Sequence, residues 1–218
     1  MSRDDSDAAV VEILRASLQG QYHAALAMLR QAIEACPDDM WIRDDRDGGN
    51  PIWRVAYHAL YYTDLYLQRD EDSFRPWELH LTGLQDLDDV PAPEHLRHLL
   101  ELPHRPQWTG VPYTREQVLT YWWICDGMVD GAIAATDLEA TETGFSWHDP
   151  QRPKVEQHID SIRHVQHHVG QLATRVRAES GASVDWVGSR GAAQRAPATV
   201  APHSPTTPAL QEVEDPGV

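Results

Sequence analysis

Two histidines four residues apart, His164 and His168, are the residues of this sequence best placed to do chemistry. On an α-helix such a pair projects from one face, about 40° apart around the axis and about 6 Å apart along it. Two imidazoles arranged in this way can chelate one divalent ion. The alternative is a pair of partly buried helix histidines, each satisfied by a neighbour, and the spacing alone does not decide between these readings.

A third histidine, His58, lies in a different helical pattern, among apolar positions such as Val55 and Ala59. A buried imidazole without a partner is energetically costly, so His58 requires one. A metal ion shared with His164 and His168 would supply it. The alternative is a core histidine with an ordinary hydrogen-bond partner.

Three further residues have spacings that would let them orient these ligands. Asp160 precedes the histidine pair by one turn and would accept a ring N–H. Gln171 follows the pair by three residues, and Tyr57 is next to His58. For each of the three, ordinary packing or solvation is the alternative.

Four amphipathic helices must position these residues. Apolar side chains recur at three- and four-residue steps, which is the helical period. The patterns predict helices from Ala9 to about Ala35, from Asn50-Pro51 to about Arg69, from Thr114 to about Asp137, and from Lys154 to about Ser180. The fold class is therefore all-α.

The ends of the later helices carry recognisable signals. Asn50 and Pro51 are typical of an N-cap and a first helical residue. Thr114 followed by Gln117 fits a capping box, and Gly181 is a natural stop.

Outside these helices the composition changes. Residues 1–8 are polar and are expected to be disordered, and residues 9–187 form the helical domain. Residues 188–218 are rich in Pro and Ala and are expected to form a disordered tail. The irregular, proline-containing segment 70–113, with a short helix expected from about Pro93 to Leu102, is a long insertion of the kind that covers a site.

Charge and motifs limit the function. The net charge of -16 argues against binding to nucleic acid or to an anionic membrane, since both need clustered Lys and Arg. No apolar stretch is long enough for a membrane span, and no secretory signal precedes the first helix, so we expect a cytoplasmic protein. Motifs for nucleotide cofactors, phosphate-binding loops and serine hydrolases are missing from the sequence.

Two features of the third helix have alternatives. Cys125 is either a reactive thiol near the metal or a small core residue. Trp122 and Trp123 are consecutive, so at most one faces the core. The other is available to a partner, which is compatible with a homodimer.

The segments NPIWRVAYHALYYTDLYL and SIRHVQHHVGQL resemble the two signature helices of the DinB-like superfamily, which includes the YfiT-like metal-dependent hydrolases and bacterial thiol transferases. The family pattern has a histidine in the middle of the second helix and a pair four apart on the fourth. These positions are His58, His164 and His168 here, followed by Gly170 and Gln171. The resemblance extends over roughly residues 9–187.

The resemblance implies a four-helix bundle with a long insertion between its second and third helices and one divalent ion in the cleft. Zinc is the first candidate, with nickel, iron and manganese as alternatives. It implies a metal-dependent hydrolase or an S-transferase acting on a small-molecule substrate with a low-molecular-weight thiol. A non-catalytic protein that binds a metal or a small ligand is the alternative.

Overall fold

The computed structural model of the protein describes residues 3–43, 50–87, 111–147 and 152–188. These residues are all-α, and no strand occurs among them. The helices are α1 (Arg3–Ala35), α2 (Asp38–Trp41), α3 (Ile52–Leu67), α4 (Arg115–Ala135) and α5 (Lys154–Ser180).

The four long helices bury their apolar faces against one another. Helix α1 packs against α4 and α5, and α3 packs against the same two helices. The shared core contains large, fully buried side chains from all four: Tyr22, Leu26, Leu29, Trp53, Leu60, Tyr121, Ile133 and Leu172. Because α3 and α5 are direct neighbours, the histidines that they carry can meet.

Two predicted helix ends are confirmed in detail. At the start of α4 the Gln117 N–H donates to Thr114 Oγ1 over 3.2 Å, and the Thr114 N–H donates to Gln117 Oε1 over 2.8 Å. This is a complete capping box. At the end of α5, Gly181 adopts the left-handed conformation with φ 74°, and its N–H donates to the Arg177 carbonyl over 3.0 Å.

The amino-terminal prediction was wrong for residues 3–8. Helix α1 begins at Arg3 and not at Ala9. The acidic residues Asp5 and Asp7 fall in its first turns, where negative charge interacts favourably with the helix dipole. Residues 1 and 2 lie outside the described part.

The expected loop after the first helix also contains structure. Helix α2 spans Asp38–Trp41, with acidic residues in its first turn and with Met40 and Trp41 buried. Burial of these two side chains gives a short helix enough apolar contact to form. Helix α3 starts one residue later than predicted, with Pro51 and not Asn50 as its N-cap.

The segment after α3 is irregular, as expected for an insertion, and residues 68–87 are described. The predicted short helix from Pro93 to Leu102 and the predicted tail beyond Gly188 lie outside the described residues. None of the helices in the described ranges is long and apolar enough to cross a bilayer.

One of the two consecutive tryptophans of α4 is buried and the other is exposed, as their spacing predicts. Trp122 is 5% exposed and donates its indole N–H to the Leu26 carbonyl over 2.7 Å, whereas Trp123 is 48% exposed. The homodimer suggested by the outward-facing tryptophan stays a prediction.

Candidate metal centre

The side chains of His58, His164 and His168 converge between α3 and α5. His164 Nε2 lies 3.0 Å from His58 Nε2 and 3.0 Å from His168 Nε2. One nitrogen from each of the three side chains lies within 4.8 Å of the others. Helical spacing brings His164 and His168 to one face of α5, and the packing of α3 against that face supplies His58.

Two of the imidazoles are held by hydrogen bonds at their other nitrogen. His58 Nδ1 donates to the Gln85 carbonyl, and His168 Nδ1 donates to Gln171 Oε1 over 2.8 Å. Both partners are oxygen acceptors, so the Nδ1 atoms carry the protons. The Nε2 atoms of His58 and His168 therefore present lone pairs to the centre of the triad.

A triad of neutral imidazoles cannot satisfy these lone pairs internally. The Nε2 of His164 can carry one proton, and that proton can be donated well to only one of the two neighbouring nitrogens. A cation at the centre would instead accept a lone pair from all three. The donor set therefore fits a metal ion better than it fits a hydrogen-bonded cluster.

Two of the three separations between the nitrogens also fit an ion. Zinc binds histidine nitrogen at about 2.0–2.1 Å, which places adjacent ligand nitrogens about 2.9–3.4 Å apart for angles between octahedral and tetrahedral. The two observed separations of 3.0 Å fall within this interval. Three protein ligands leave coordination positions open, unlike a closed four-ligand structural site.

Burial keeps two of the three histidines, His58 and His164, in their metal-binding form. Desolvation, followed by the positive charge that His168 would carry, lowers the pKa of His58 to about 3 and that of His164 to about 4. Both rings are therefore neutral at neutral pH, and an ion need not displace a proton from either.

A cavity of about 170 Å³ opens beside the triad. His58 and His164 form one side of it, and the other lining residues are Tyr62, Tyr66, Asp160 and Ser161. The Tyr62 ring packs against both histidines, with ring centroids 4.8 Å from His58 and 5.5 Å from His164. A small molecule in this cavity would lie next to the open side of an ion at the triad.

Of the three residues expected to orient the ligands, only Gln171 contacts one of them. Gln171 bonds His168, as described above. Asp160 lines the cavity, but its carboxylate faces Arg152 at 2.7 Å and Arg163 at 3.5 Å, and no hydrogen bond joins it to His164 among the described contacts.

Tyr57 faces away from the triad. Its hydroxyl shares a hydrogen bond with His80, and its ring packs against Trp77 and Tyr113. Consecutive helix residues point about 100° apart, which explains why a neighbour of His58 in sequence is not its neighbour in space.

Three contributors to the site were not anticipated from the sequence. Tyr62 follows His58 by four residues, and Ser161 precedes His164 by three, so helical spacing alone would have found both. The Gln85 carbonyl carries no such signal, because it is a backbone group in an irregular segment.

The candidate thiol, Cys125, and one further histidine, His158, are parts of the core. Cys125 is fully buried, its Sγ–H donates to the Leu60 carbonyl over 3.5 Å, and burial raises the pKa of the thiol well above its usual value. Such a thiol is unreactive. His158 is also fully buried, and its Nδ1 lies 3.0 Å from the Tyr22 hydroxyl.

Comparison of the chain with protein-family models, with curated proteins and with solved structures returned no match.

Proposed function

We propose that the protein is a divalent-metal-dependent enzyme of the hydrolase or thiol S-transferase type, with His58, His164 and His168 as the metal ligands. We further propose that α1, α3, α4 and α5 form a four-helix bundle of DinB-like topology, with residues 70–113 as the insertion. The substrate is a small molecule, and a low-molecular-weight thiol is its partner in the transferase version.

One observation carries this proposal. Three imidazole nitrogens from two separate helices converge beside a cavity, with lone pairs that one cation would satisfy together. A core histidine cluster without a function would place these rings against apolar side chains or ordinary hydrogen-bond donors. It would not leave an open cavity on one side.

The remaining residues of the site have separate tasks. The Gln85 carbonyl and Gln171 fix the rotation and the proton position of two ligands. Tyr62 and Ser161 contact whatever occupies the cavity. When bound, the ion supplies Lewis-acid chemistry, which polarises a substrate oxygen or favours the ionised form of a water or thiol.

Three neutral imidazoles suit zinc first, and nickel, iron and manganese are alternatives, because ligand type alone does not select among them. Elemental analysis of protein purified without an affinity tag identifies the ion. We expect one ion per chain in the wild type and less than about a tenth of that in His58→Ala, because two imidazoles on one helix hold divalent ions weakly. His167→Ala is the matched control, since His167 is an exposed neighbour of the ligands on the same helix.

Full metal content in His58→Ala would contradict the proposed ligand set. If the ligand set holds, a panel of ester and amide substrates, and of small thiols paired with electrophilic acceptors, tests for turnover. Turnover that is lost in His58→Ala while the variant remains folded supports a catalytic site.

A second candidate is a non-catalytic protein that binds the metal or a small ligand. It is favoured by Asp160, which lines the cavity but whose carboxylate is paired with Arg152 and so is poorly placed to act as a general base. This candidate predicts metal binding without turnover on any member of the panel, together with a large loss of thermal stability in His58→Ala.

A further inference from the structure

We infer that the outward face of α4 is the interface of a symmetric homodimer, in which the two copies of α4 pack antiparallel and Trp123 of each copy lies over Gly131 of the other. The exposed residues that form this face are Thr120, Trp123, Ile124, Gly127, Gly131 and Ala134. The face lies away from the candidate metal centre, because α4 packs against α1 and α3 whereas the triad lies between α3 and α5.

The outward face of α4 carries no charge, although the chain is strongly acidic. Trp123 and Ile124 are 48% and 41% exposed. Trp123 apart, the residues of the face follow one another at steps of four and three, which keeps them on one side of the helix over about 21 Å. Asp130, on the flank of the face, pairs with His23 of α1 over 3.1 Å. Two molecules of net charge -16 repel each other, so a second copy can bind only where the contact itself is uncharged, as it is here.

Two glycines of this face are not explained by packing within one chain. Glycine in the interior of a helix lowers its stability relative to alanine. A methyl group at Gly127 or Gly131 would meet no other part of the described chain within 4 Å, its own stretch of helix apart. Packing inside the molecule therefore does not require glycine at either position. A second helix that lies directly on the backbone of α4 does require it.

The order of large and small residues makes the face complementary to itself. Trp123 and Gly131 lie four residues before and four residues after Gly127. A two-fold axis through Gly127 therefore brings Trp123 of each copy to Gly131 of the other. A symmetric dimer needs this match, because both copies use the same patch. An unrelated partner would not require the large and small residues to be arranged symmetrically, so a second copy is the occupant that the face fits.

The adjoining surface of α1 enlarges the contact. Arg15 of α1 donates to the Ala134 carbonyl over 2.9 Å, and the guanidinium carbon of Arg30 lies 5.2 Å from the centroid of the Trp123 ring, so the two helices run side by side along the whole face. Two helices, each about 10 Å wide and about 21 Å long, have a projected area of about 400 Å². Because accessible area exceeds projected area, the face approaches the lower end of stable interfaces, about 600 Å² per partner.

Sedimentation velocity of the full chain over a range of concentrations tests the interface. We expect a dimer with a dissociation constant of about 1–10 µM, the weak end for interfaces of this class. Trp123→Ala should raise that constant at least about thirtyfold, as for a central tryptophan of an interface. Trp186→Ala is the matched control, because it removes an exposed tryptophan outside the face.

Gly131→Gln separates the interface from the fold. The longer side chain occupies the space that Trp123 of the other copy would take, so the dissociation constant should rise at least about tenfold. Helical content measured by circular dichroism should be unchanged or higher, because glutamine is a better helix former than glycine. Gly170→Gln, at an exposed glycine of α5 with the same free space around it, should leave the dissociation constant unchanged.

Introduced cysteines test the antiparallel register. Gly127→Cys places a thiol on the two-fold axis, so the two thiols of a dimer lie together and should form a disulfide when oxidised with diamide. Ala134→Cys places a thiol seven residues from the axis, which separates the two thiols by about 21 Å, so no cross-link is expected. The native thiols, Cys36 and Cys125, are buried in the core.

A wild type that stays monomeric up to about 100 µM would overturn the inference, since an interface of the expected size would be populated at that concentration. A dimer whose dissociation constant is unchanged by both Trp123→Ala and Gly131→Gln would overturn it as well. So would cross-linking through Ala134→Cys and not through Gly127→Cys, because the copies would then pack in another register. All of these results leave the proposed metal site untouched, because the triad is on the opposite edge of the molecule.

Discussion

At the scale of single residues, the positions of protons determine what each histidine can do. His58 and His168 each donate their Nδ1–H to an oxygen, which leaves the Nε2 lone pairs facing His164. The acceptor for His168 is a side chain, so its contribution can be changed without disturbing the backbone. The acceptor for His58 is the Gln85 carbonyl, which no substitution of that residue removes.

Gln171→Ala is therefore expected to weaken metal binding. Loss of such a supporting hydrogen bond typically reduces metal affinity 10- to 100-fold, and we expect about tenfold here because Gln171 is exposed to solvent. Competition with a chromogenic chelator measures the change. Gln171→Glu keeps an acceptor at the same position and should restore wild-type affinity or exceed it. Equal affinity of all three proteins would show that His168 needs no such support.

Some residues of the candidate site could be predicted from the sequence and others could not. Helical spacing predicts that His164 and His168 share one face of a helix, and the apolar neighbours of His58 predict that it is buried, but neither pattern alone separates a metal site from ordinary histidines. The roles expected for Asp160 and Tyr57 required knowledge of side-chain direction, which adjacency in sequence does not give. Asp160 instead pairs with Arg152, and Tyr57 points into an aromatic cluster with Trp77.

At the scale of helices and segments, the triad depends on the irregular chain after α3. Residues 83–87 carry the carbonyl that orients His58, and Arg54 of α3 holds the adjacent Asp86 carbonyl over 2.6 Å. Gly83, with φ 92°, and the hydrogen bond from its N–H to Gln85 Oε1 shape the turn. The segment after α3 thus contributes to the orientation of His58 as well as lying beside the helices.

We expect Arg54→Met to loosen this turn while keeping most of the apolar stem of the side chain. The orientation of His58 becomes less fixed, so metal affinity should fall by about tenfold, as for other losses of outer support. The helical content measured by circular dichroism should not change. Arg163→Met is the control, because Arg163 is an exposed arginine of α5 whose hydrogen bond, to Asp160, is on the surface. A fall of the same size in both variants would mean that the effect is electrostatic.

Helix ends offer a prediction that is independent of any metal. Thr114→Ala removes the side-chain half of the capping box of α4, and N-cap losses of this kind cost about 1 kcal/mol. Thr120→Ala is the control, since this exposed threonine bonds the Glu116 carbonyl within the helix and Ala has the higher helix propensity. Urea unfolding should show the first variant destabilised and the second unchanged or slightly stabilised. The reverse order would mean that α4 does not begin where the capping box places it.

Helix ends also show how far the elements could be predicted. The capping box at Thr114 and the stop at Gly181 are local side-chain and backbone signals, and both were predicted correctly. Helix α2 was missed because it forms only when Met40 and Trp41 are buried by the rest of the protein. The contact between residues 83–87 and His58 depends on tertiary structure in the same way.

At the scale of the whole molecule, buried neutral histidines make the fold sensitive to acid. Burial lowers the pKa values of His58, His158 and His164, so the unfolded chain binds more protons than the folded chain between pH 6.5 and about 4. Stability therefore falls as the pH falls through this interval. His23 has the opposite effect, because its hydrogen bonds to Asp126 and Asp130 raise its pKa. Its contribution is fully present below pH 6.5 and is lost as the pH rises through the raised value.

His158 allows the acid sensitivity to be measured separately from the candidate metal site, because it is not one of the three proposed ligands. Its pKa is lowered to about 4 by burial and by the charge of Lys154, and its Nδ1 lies 3.0 Å from the Tyr22 hydroxyl. His158→Asn places an amide near the position of Nδ1 and removes the titrating ring. At pH 7.5 we expect the variant to be less stable by about 1–3 kcal/mol, because its fit in the core is poorer.

As the pH is lowered, the free energy of unfolding of the wild type should fall more steeply, by up to about 1.4 kcal/mol per pH unit relative to the variant. The two curves should therefore approach each other by about 2 kcal/mol between pH 6.5 and 4.5. Urea unfolding with a chelator present measures both proteins without an ion at the triad. His167→Asn, an exposed change on the same helix, should run parallel to the wild type. Parallel curves for His158→Asn and the wild type would contradict this prediction. They would mean that His158 takes up a proton as readily in the folded state as in the unfolded chain, although its complete burial should make protonation costly.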